Sequence, residues 1–135
     1  MVLPLFVYGT LKPGQWAFDQ FCQGQVITMI PALTQGRLYH LSLGYPALSL
    51  EAGWVQGVLL ILASQEHLAA IDSFEEYDPQ CPDQSPYQRR WQPVYRLDRS
   101  PLSQAWVYTM ASDRIQRFNG EWLPAGIWPQ TREGI

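Results

Sequence analysis

A short apolar run near the start of the chain ends abruptly in a glycine-rich turn. Residues Leu3–Tyr8 are almost all apolar, and "GTLKPG" follows directly. An apolar run of this length bounded by turn residues predicts a buried β-strand. Glycine lets a ligand approach the backbone closely, and successive N–H groups at a strand end can bind a carboxylate or an oxyanion. Two interpretations stay open, a binding loop or a plain tight turn, and the pattern by itself favours the turn.

The remainder of the chain predicts a mostly β fold. Short apolar or alternating segments are separated by turn-forming residues, a pattern typical of strands. We expect six or so strands with one or two helices, in an α+β fold whose sheet is closed or nearly closed. The expected strands after Leu3–Tyr8 are Gln25–Leu33, Arg37–Leu43, a short strand at the end of 43–50, 53–62, Gln88–Leu97 and 103–110.

Local signals add detail to these strands. Gln35-Gly36 favours a hairpin turn between two of them. Pro93 lies inside a strand and indicates a sheet edge or a bulge, because proline cannot donate to the hydrogen-bond ladder. The expected helices are a turn or short helix at Trp16–Phe21 and one clear helix at 64–77, and the tail from Ala111 is expected to be rich in turns.

Composition favours one domain with its own hydrophobic core. The chain has 135 residues, 47% of them hydrophobic, which is enough for a single domain spanning 1–135. The formal net charge is −3, whereas a nucleic-acid partner requires a clustered basic surface. We therefore expect no nucleic-acid partner. Among nine cationic residues, Lys12 is the one lysine.

The cysteines and the N-terminus indicate a cytoplasmic protein without metal or membrane. Cys22 and Cys81 show no Cys-x-x-Cys spacing, so neither a zinc site nor a redox motif is expected. We expect two free thiols, and the sequence leaves a single disulfide between them as the alternative. The first apolar run is too short for a signal peptide, and no apolar stretch reaches the roughly 20 residues of a membrane span.

The segment "SQEHLAAIDSFEEY" carries the first chemical signal. Ser64 is a suitable N-cap residue, and Glu66 lies in the first turn, where the helix dipole favours an acid. At about 100° per residue, one face of the helix is apolar. This apolar stripe consists of Leu68, Ile71 and Phe74.

Two adjacent glutamates at the end of this helix are expected to face in different directions. Glu75 projects into the apolar stripe, whereas Glu76 projects about 140° from its centre, and Asp72 also projects away from it. Burial of a carboxylate raises its pKa, which suits a general acid or base. Glu75 is thus a candidate catalytic residue, although a frayed helix end or pairing with an arginine would also explain it, and the pattern alone favours that explanation.

Several motifs in the same order resemble those of a known family. The chain contains "VYGTLKPG", "GYPAL", "IDSFEEY", "YQR", "AWVY" and "NGEW". Together these resemble the γ-glutamylcyclotransferase-like family, which includes the AIG2-like and YtfP-like proteins. The resemblance extends from about Leu5 to Trp122.

The resemblance implies a fold and a reaction. The implied fold is a small mixed β-barrel with one open mouth. The implied substrate is a small γ-glutamyl amide whose α-amine attacks its own γ-carbonyl, giving 5-oxoproline and a free amine in a transferase- or lyase-type reaction. No metal or cofactor is implied.

The resemblance also assigns roles to particular residues. Glu75 matches the family's acid/base glutamate, which is the glutamate that the helical projection selects. Arg89 matches an arginine on the following strand, with Arg90 as a competing register. The implied substrate-binding residues are Tyr8, Gly9, Thr10 and Leu11 through their backbone N–H groups, together with Tyr45, Tyr87 and Arg89.

Two further functions remain open. The first is a non-catalytic small-molecule-binding or regulatory domain that has the same cavity. The second and weaker one is an amide hydrolase, because no nucleophile triad or metal set is visible. The segments "PGQWAFDQF" and "EYDPQCPDQSP" depart from the family pattern, so the sequence leaves the leaving amine undetermined, and it leaves the oligomeric state undetermined as well.

Overall fold

The computed structural model describes residues 2–9, 11–13, 15, 18–19, 22, 24–42, 44–81 and 84–128. Six strands and two helices have both of their ends among these residues, and Phe18 and Asp19 are also helical. In chain order these strands and helices are β1 (Leu3–Val7), β2 (Val26–His40), β3 (Pro46–Leu62), α1 (His67–Phe74), β4 (Gln88–Tyr95), β5 (Pro101–Thr109), α2 (Ser112–Arg117) and β6 (Glu121–Trp122).

The strands pair into a ring. The order along the sheet is β3-β1-β5-β4-β2-β6, and β2 also pairs with β3, so five strands close on themselves and β6 extends the edge beside β2. Strand β1 is antiparallel to β3 and parallel to β5, which makes the sheet mixed. The predicted α+β fold with a small mixed sheet is confirmed, and the ring of pairings is compatible with the expected barrel.

Strand β1 divides its side chains between two apolar cores. Leu3, Leu5 and Val7 pack in a cluster that also contains Ile71 of α1. Phe6, together with Tyr8 just beyond the strand, packs in a second cluster. Because side chains alternate along a strand, every second residue faces the helix and the others face the second core. A central strand covered on both faces is consistent with the continuous apolar run in the sequence.

The hairpin turn predicted at Gln35-Gly36 is wrong, because the chain continues through it as β2. The register between β2 and β3 passes from Gln35↔Trp54 to Arg37↔Ser49, so the extra residues lie on β3. Gly36 has φ +153°, and a Cβ at Gly36 would lie 2.7 Å from the Ser49 carbonyl oxygen. The two strands therefore bend together at a bulge, where the close approach requires glycine.

The ring closes with little backbone pairing between β2 and β4. One residue pair, Leu33↔Tyr95, is aligned between these strands in the described chain. Side chains contribute beside it, since the Thr34 hydroxyl donates to the Pro93 carbonyl (2.9 Å) and accepts from the Gln92 amide (3.1 Å). Pro93 thus lies at a sparsely paired edge, where its missing N–H costs little.

Helix α1 is shorter than the predicted 64–77. Its N-cap residue is Glu66 rather than Ser64, because the Ser64 hydroxyl accepts a hydrogen bond from the Glu66 N–H (3.1 Å) and holds a turn before the helix. At the other end, Glu76 adopts φ +58°. A left-handed residue at this position ends a helix.

The chain end contains regular structure that the sequence did not indicate. Helix α2 and strand β6 lie in the tail expected to be rich in turns. Four of the six residues of the helical turn predicted at Trp16–Phe21 lie outside the described residues, and the other two, Phe18 and Asp19, are helical as predicted. The Cys22 N–H donates to the Phe18 carbonyl at 2.8 Å. Cys22 and Cys81 are both free. No described helix has the length and apolar character needed to cross a bilayer.

Candidate active site

A cavity lies at the edge of the ring where three strands begin or end. Since β1 and β5 are parallel, their carboxyl ends reach the same edge, and β4 begins there because it is antiparallel to β5. The end of α1 and the start of β3 complete the walls of a cavity of about 120 Å³. Side chains far apart in the sequence thus converge on one volume.

Most of the sequence-predicted site residues line this cavity. Tyr8, Gly9, Leu11, Tyr45, Glu75 and Tyr87 all contribute to its walls. Thr10 lies outside the described residues. Arg89 is not among the lining residues, and its side chain is turned toward α1.

The aromatic walls of the cavity are fixed through their hydroxyl groups. Tyr8 donates to the Tyr108 carbonyl (2.6 Å), and Tyr87 donates to the Pro46 carbonyl (2.7 Å). Tyr108 in turn donates to Asp72 Oδ1 (2.6 Å). Burial raises the pKa of all three phenols, so they are neutral at physiological pH and orient the cavity rather than exchange protons with a substrate.

Glu75 is placed in the cavity by the end of α1. It is the C-cap residue, and its backbone N–H donates to the Ile71 carbonyl (2.9 Å). Burial raises the pKa of the Glu75 carboxyl to about 8, and the negative charges of Asp72 and Glu76 add to the effect. A carboxyl with a pKa near neutrality can both accept and donate a proton during a reaction.

Glu76 differs from Glu75 in exposure and backbone conformation. It is exposed at the mouth of the cavity. Its N–H donates to the Ser73 carbonyl (3.1 Å), and the Tyr77 N–H donates to the Asp72 carbonyl (2.8 Å). These two bonds form a Schellman motif, in which the left-handed position is usually glycine. The motif turns the chain sharply just after Glu75.

Asp72 is buried, although it projects away from the apolar stripe as the helical projection predicts. It is 5% exposed, and it accepts the Tyr108 hydroxyl and lies 3.0 Å from Arg89 Nε. The helical projection correctly separates it from the stripe that packs against β1, but a second face of the helix packs toward β4 and β5. Burial raises the pKa of Asp72, while Tyr108 and Arg89 lower it.

Arg89 rather than Arg90 points toward the interior. Its guanidinium lies 4.4 Å from the Trp106 ring centroid and 5.2 Å from that of Tyr77. The buried Nε–H has no well-directed hydrogen-bond acceptor among the described residues, so its contact with Asp72 is an ion pair. Arg90 is exposed. The ion pair between Arg89 and Asp72 supports the end of α1 that carries Glu75.

The loop after β1 is pressed against the start of β3. A Cβ at Gly9 would lie 2.3 Å from Pro46 Cγ, and the Lys12 N–H donates to the Gly9 carbonyl (2.9 Å). Glycine is therefore needed here for close packing against the proline ring.

In the described part of the chain, His, Cys, Asp and Glu side chains form no group that could hold a metal ion.

Tyr108, Phe74 and Glu76 also line the cavity, although the sequence motifs did not assign them to it, and Pro46 lines it beside Tyr45, as the family resemblance implies for this loop. A signal for Tyr108 exists in the pattern of tyrosines. Tyr8 follows β1, Tyr87 precedes β4 and Tyr108 lies near the end of β5. Once β1 and β5 are known to be parallel, these three positions fall at one edge.

A known family matches most of the chain. The family described as gamma-glutamyl cyclotransferase, AIG2-like, matches residues 5–130. No curated protein matches the chain closely enough to count as a relative.

Several solved structures share the fold. An AIG2-like protein from Mus musculus is 22% identical with a TM-score of 0.71, over 99% of this chain and 93% of that one. At3g28950.1 from Arabidopsis thaliana is 25% identical with a TM-score of 0.65, over 91% of this chain and 70% of that one. YkqA from Bacillus subtilis is 22% identical with a TM-score of 0.67, and the match covers 95% of this chain but 40% of the length of YkqA.

Proposed function

The chain belongs to the gamma-glutamyl cyclotransferase, AIG2-like family, and we propose that it converts a small γ-glutamyl amide into 5-oxoproline and a free amine. The observation that supports this proposal most directly is the position of Glu75. A carboxyl whose pKa is raised to about 8 lines a cavity that Gly9 and Leu11 of the loop after β1 also line. The reaction needs a proton acceptor and a binding loop in this arrangement, and needs no cofactor.

The proposed reaction is an intramolecular acyl transfer. Glu75 takes a proton from the α-ammonium group, and the freed amine attacks the γ-carbonyl carbon to form a five-membered ring. Because attacking and attacked groups belong to one molecule, holding the glutamyl chain folded can supply much of the rate. The amide C–N bond then breaks and the amine leaves.

Proton movements balance through one carboxyl group. The α-nitrogen loses two protons as it becomes the lactam N–H, and the departing nitrogen gains two as it becomes an ammonium. Glu75 carries them one at a time and ends unprotonated, as it began. A carboxyl near its pKa at working pH performs both transfers efficiently.

The rest of the cavity would bind and orient the substrate. In this proposal, backbone N–H groups of the segment Tyr8–Leu11 bind the glutamyl head group and the developing oxyanion. The rings of Tyr45 and Tyr87 border the substrate. Arg89 contributes indirectly, because it pairs with Asp72 beneath Glu75.

The test is incubation of the purified protein with a panel of γ-glutamyl amides that differ in the leaving amine, with chromatographic detection of 5-oxoproline. Release of 5-oxoproline and amine in equal amounts supports the proposal. Binding of 5-oxoproline without turnover of any amide would favour the non-catalytic binding domain instead. Production of glutamate rather than 5-oxoproline would indicate hydrolysis.

A further inference from the structure

Lys12 is a buried cation with no part in the reaction described above. The chain's one lysine is 6% exposed, and its Nζ donates to the Trp128 carbonyl at 3.0 Å, across 116 positions of sequence. No carboxylate of the described chain lies within ion-pair distance of it. Burying an ammonium without a paired acid is costly, and burial accordingly lowers the pKa of Lys12.

Trp128 is itself held firmly. It is 2% exposed, its ring belongs to the same core cluster as Phe6 and Tyr8, and its Nε1–H donates to His40 Nδ1 (3.1 Å). Phe6 and Tyr8 also line the cavity. The lysine is thus hydrogen-bonded to a residue that belongs to the same core cluster as two of the cavity-lining residues.

The segment leading to Trp128 is bound to two strands of the ring. The Leu123 N–H donates to the Leu38 carbonyl of β2 (2.8 Å), and the Gln56 N–H of β3 donates to the Gly126 carbonyl (2.7 Å). We call residues 123–128 the C-terminal segment. These bonds give Lys12 a fixed acceptor rather than a loose chain end.

Lys12 holds the loop after β1 at two points. Its backbone N–H donates to the Gly9 carbonyl (2.9 Å), and its side chain reaches the C-terminal segment. Gly9 and Leu11, which precede Lys12 in the loop, line the cavity. The loop therefore has one hydrogen bond within itself and one to the C-terminal segment.

We propose that Lys12 is a positioning residue that fixes the substrate-binding loop against the C-terminal segment, so that residues 123–128 belong to the binding apparatus although they do not line the cavity. The inference rests on the proposed function in assigning the loop to the glutamyl group. The hydrogen bond orients the backbone N–H groups, and preorganised donors bind a ligand more tightly than mobile ones. Loss of the bond should therefore weaken binding more than it slows the chemical step.

The test compares Lys12→Met, which keeps an unbranched apolar side chain one atom shorter but removes the ammonium, with Arg96→Met. Arg96 is an exposed cation just after the far end of β4, so the second variant makes the same change in net charge away from the loop. For Lys12→Met we expect the Kd for 5-oxoproline and the KM to rise at least 10-fold, with kcat changed less than 3-fold. Arg96→Met should match the wild type, and Lys12→Arg should recover part of the loss.

A ligand-free readout separates this inference from the proposed function. Amide hydrogen exchange of Gly9 and Leu11 should accelerate at least 10-fold in Lys12→Met and stay unchanged in Arg96→Met. If exchange and binding in Lys12→Met equal those of the wild type, the positioning role is overturned. If the wild type neither binds 5-oxoproline nor forms it, the proposed function fails, while accelerated exchange would still support the attachment of the loop.

The wild-type protein offers a check if Lys12→Met does not fold. Labelling lysine with ¹⁵N at Nζ gives a single side-chain resonance, because the chain has one lysine. Saturation with 5-oxoproline should shift that resonance and slow its hydrogen exchange. A resonance that does not respond while the ligand binds would overturn the proposal.

Discussion

At the scale of single residues, two adjacent glutamates provide the sharpest comparison. Glu75→Gln should keep the fold and lower kcat by about 10²–10⁴, the usual contribution of general acid–base catalysis. Glu76→Gln should retain most of the turnover, because Glu76 is exposed at the mouth of the cavity. Steady-state kinetics of both variants, with circular dichroism to verify folding, would measure the two losses of turnover. Equal losses in the two would rule out the assignment of Glu75.

Gly9 gives a second residue-scale prediction. A Cβ there would meet Pro46 Cγ at 2.3 Å, so Gly9→Ala should displace the proline ring from the cavity wall and weaken 5-oxoproline binding at least 10-fold. Overpacking of this kind costs about 1–3 kcal/mol of stability. Calorimetric titration and thermal unfolding measure the two effects.

The control for Gly9 is a double-mutant cycle. If the clash with Pro46 is the cause, Gly9→Ala in a Pro46→Ala background should cost far less than in the wild type. Strictly additive losses would mean that the new methyl group acts elsewhere, for example on the ligand itself.

Asp72 should influence the pKa of Glu75, which lies one helical turn away. Its negative charge helps to raise the pKa of Glu75, so Asp72→Asn should move the rise of kcat with pH toward lower pH. The matched variant Tyr108→Phe removes a hydrogen bond to Asp72 but leaves its charge, and it should shift the profile less. Unchanged profiles in a folded Asp72→Asn variant would contradict this role.

At the scale of elements, the end of α1 carries a strained residue. Glu76 occupies the left-handed position of the Schellman motif, where a side chain costs about 1 kcal/mol relative to glycine. Glu76→Gly should therefore stabilise the protein by roughly that amount, as measured by urea unfolding. A net loss of stability would show that the conformation of Glu76 is not strained.

The elements that could be predicted from sequence are those with a local signal. Strand β1 is a continuous apolar run, and α1 has an apolar stripe that also identifies Glu75. Helix α2 has six residues, too few for a clear periodic pattern. The bend at Gly36 depends on the opposing Ser49 of β3, and a residue's own neighbours carry no information about it.

The burial of Asp72 could not be predicted for a related reason. A helical projection identifies the face packed against one layer, whereas α1 also contacts strands that follow it in the chain. Tyr108 and Arg89 meet Asp72 only after the ring has formed. The family resemblance implies site residues that local sequence patterns do not reveal, but it did not identify Tyr108 and the other additional lining residues described above.

At the scale of the whole molecule, the raised pKa of Glu75 couples activity to stability. The folded-state pKa of about 8 lies above the ordinary value of 4.5, so folding favours the protonated carboxyl. The stabilising contribution is fully present below the unfolded pKa and is lost as pH rises through the folded pKa, at about 1.4 kcal/mol per pH unit. The same ionisation should activate the enzyme, so kcat should rise as pH passes about 8.

The variant Glu75→Gln isolates this linkage. Its stability relative to the wild type should increase between about pH 4.5 and pH 8 and then level off, since glutamine does not titrate. Thermal unfolding of both proteins across this range is the measurement. A constant difference at all pH values would show that the carboxyl is not perturbed by folding.

The contact between Tyr8 and Tyr108 joins residues 100 positions apart, and it has a consequence for biosynthesis. At about 5–20 residues per second, the ribosome needs roughly 5–20 s to make the chain between them. During that interval the apolar strand β1 has no β5 to pair with, and such exposed strands invite aggregation. One edge of β1 therefore stays unpaired until β5 emerges, and the cavity can form only late in translation.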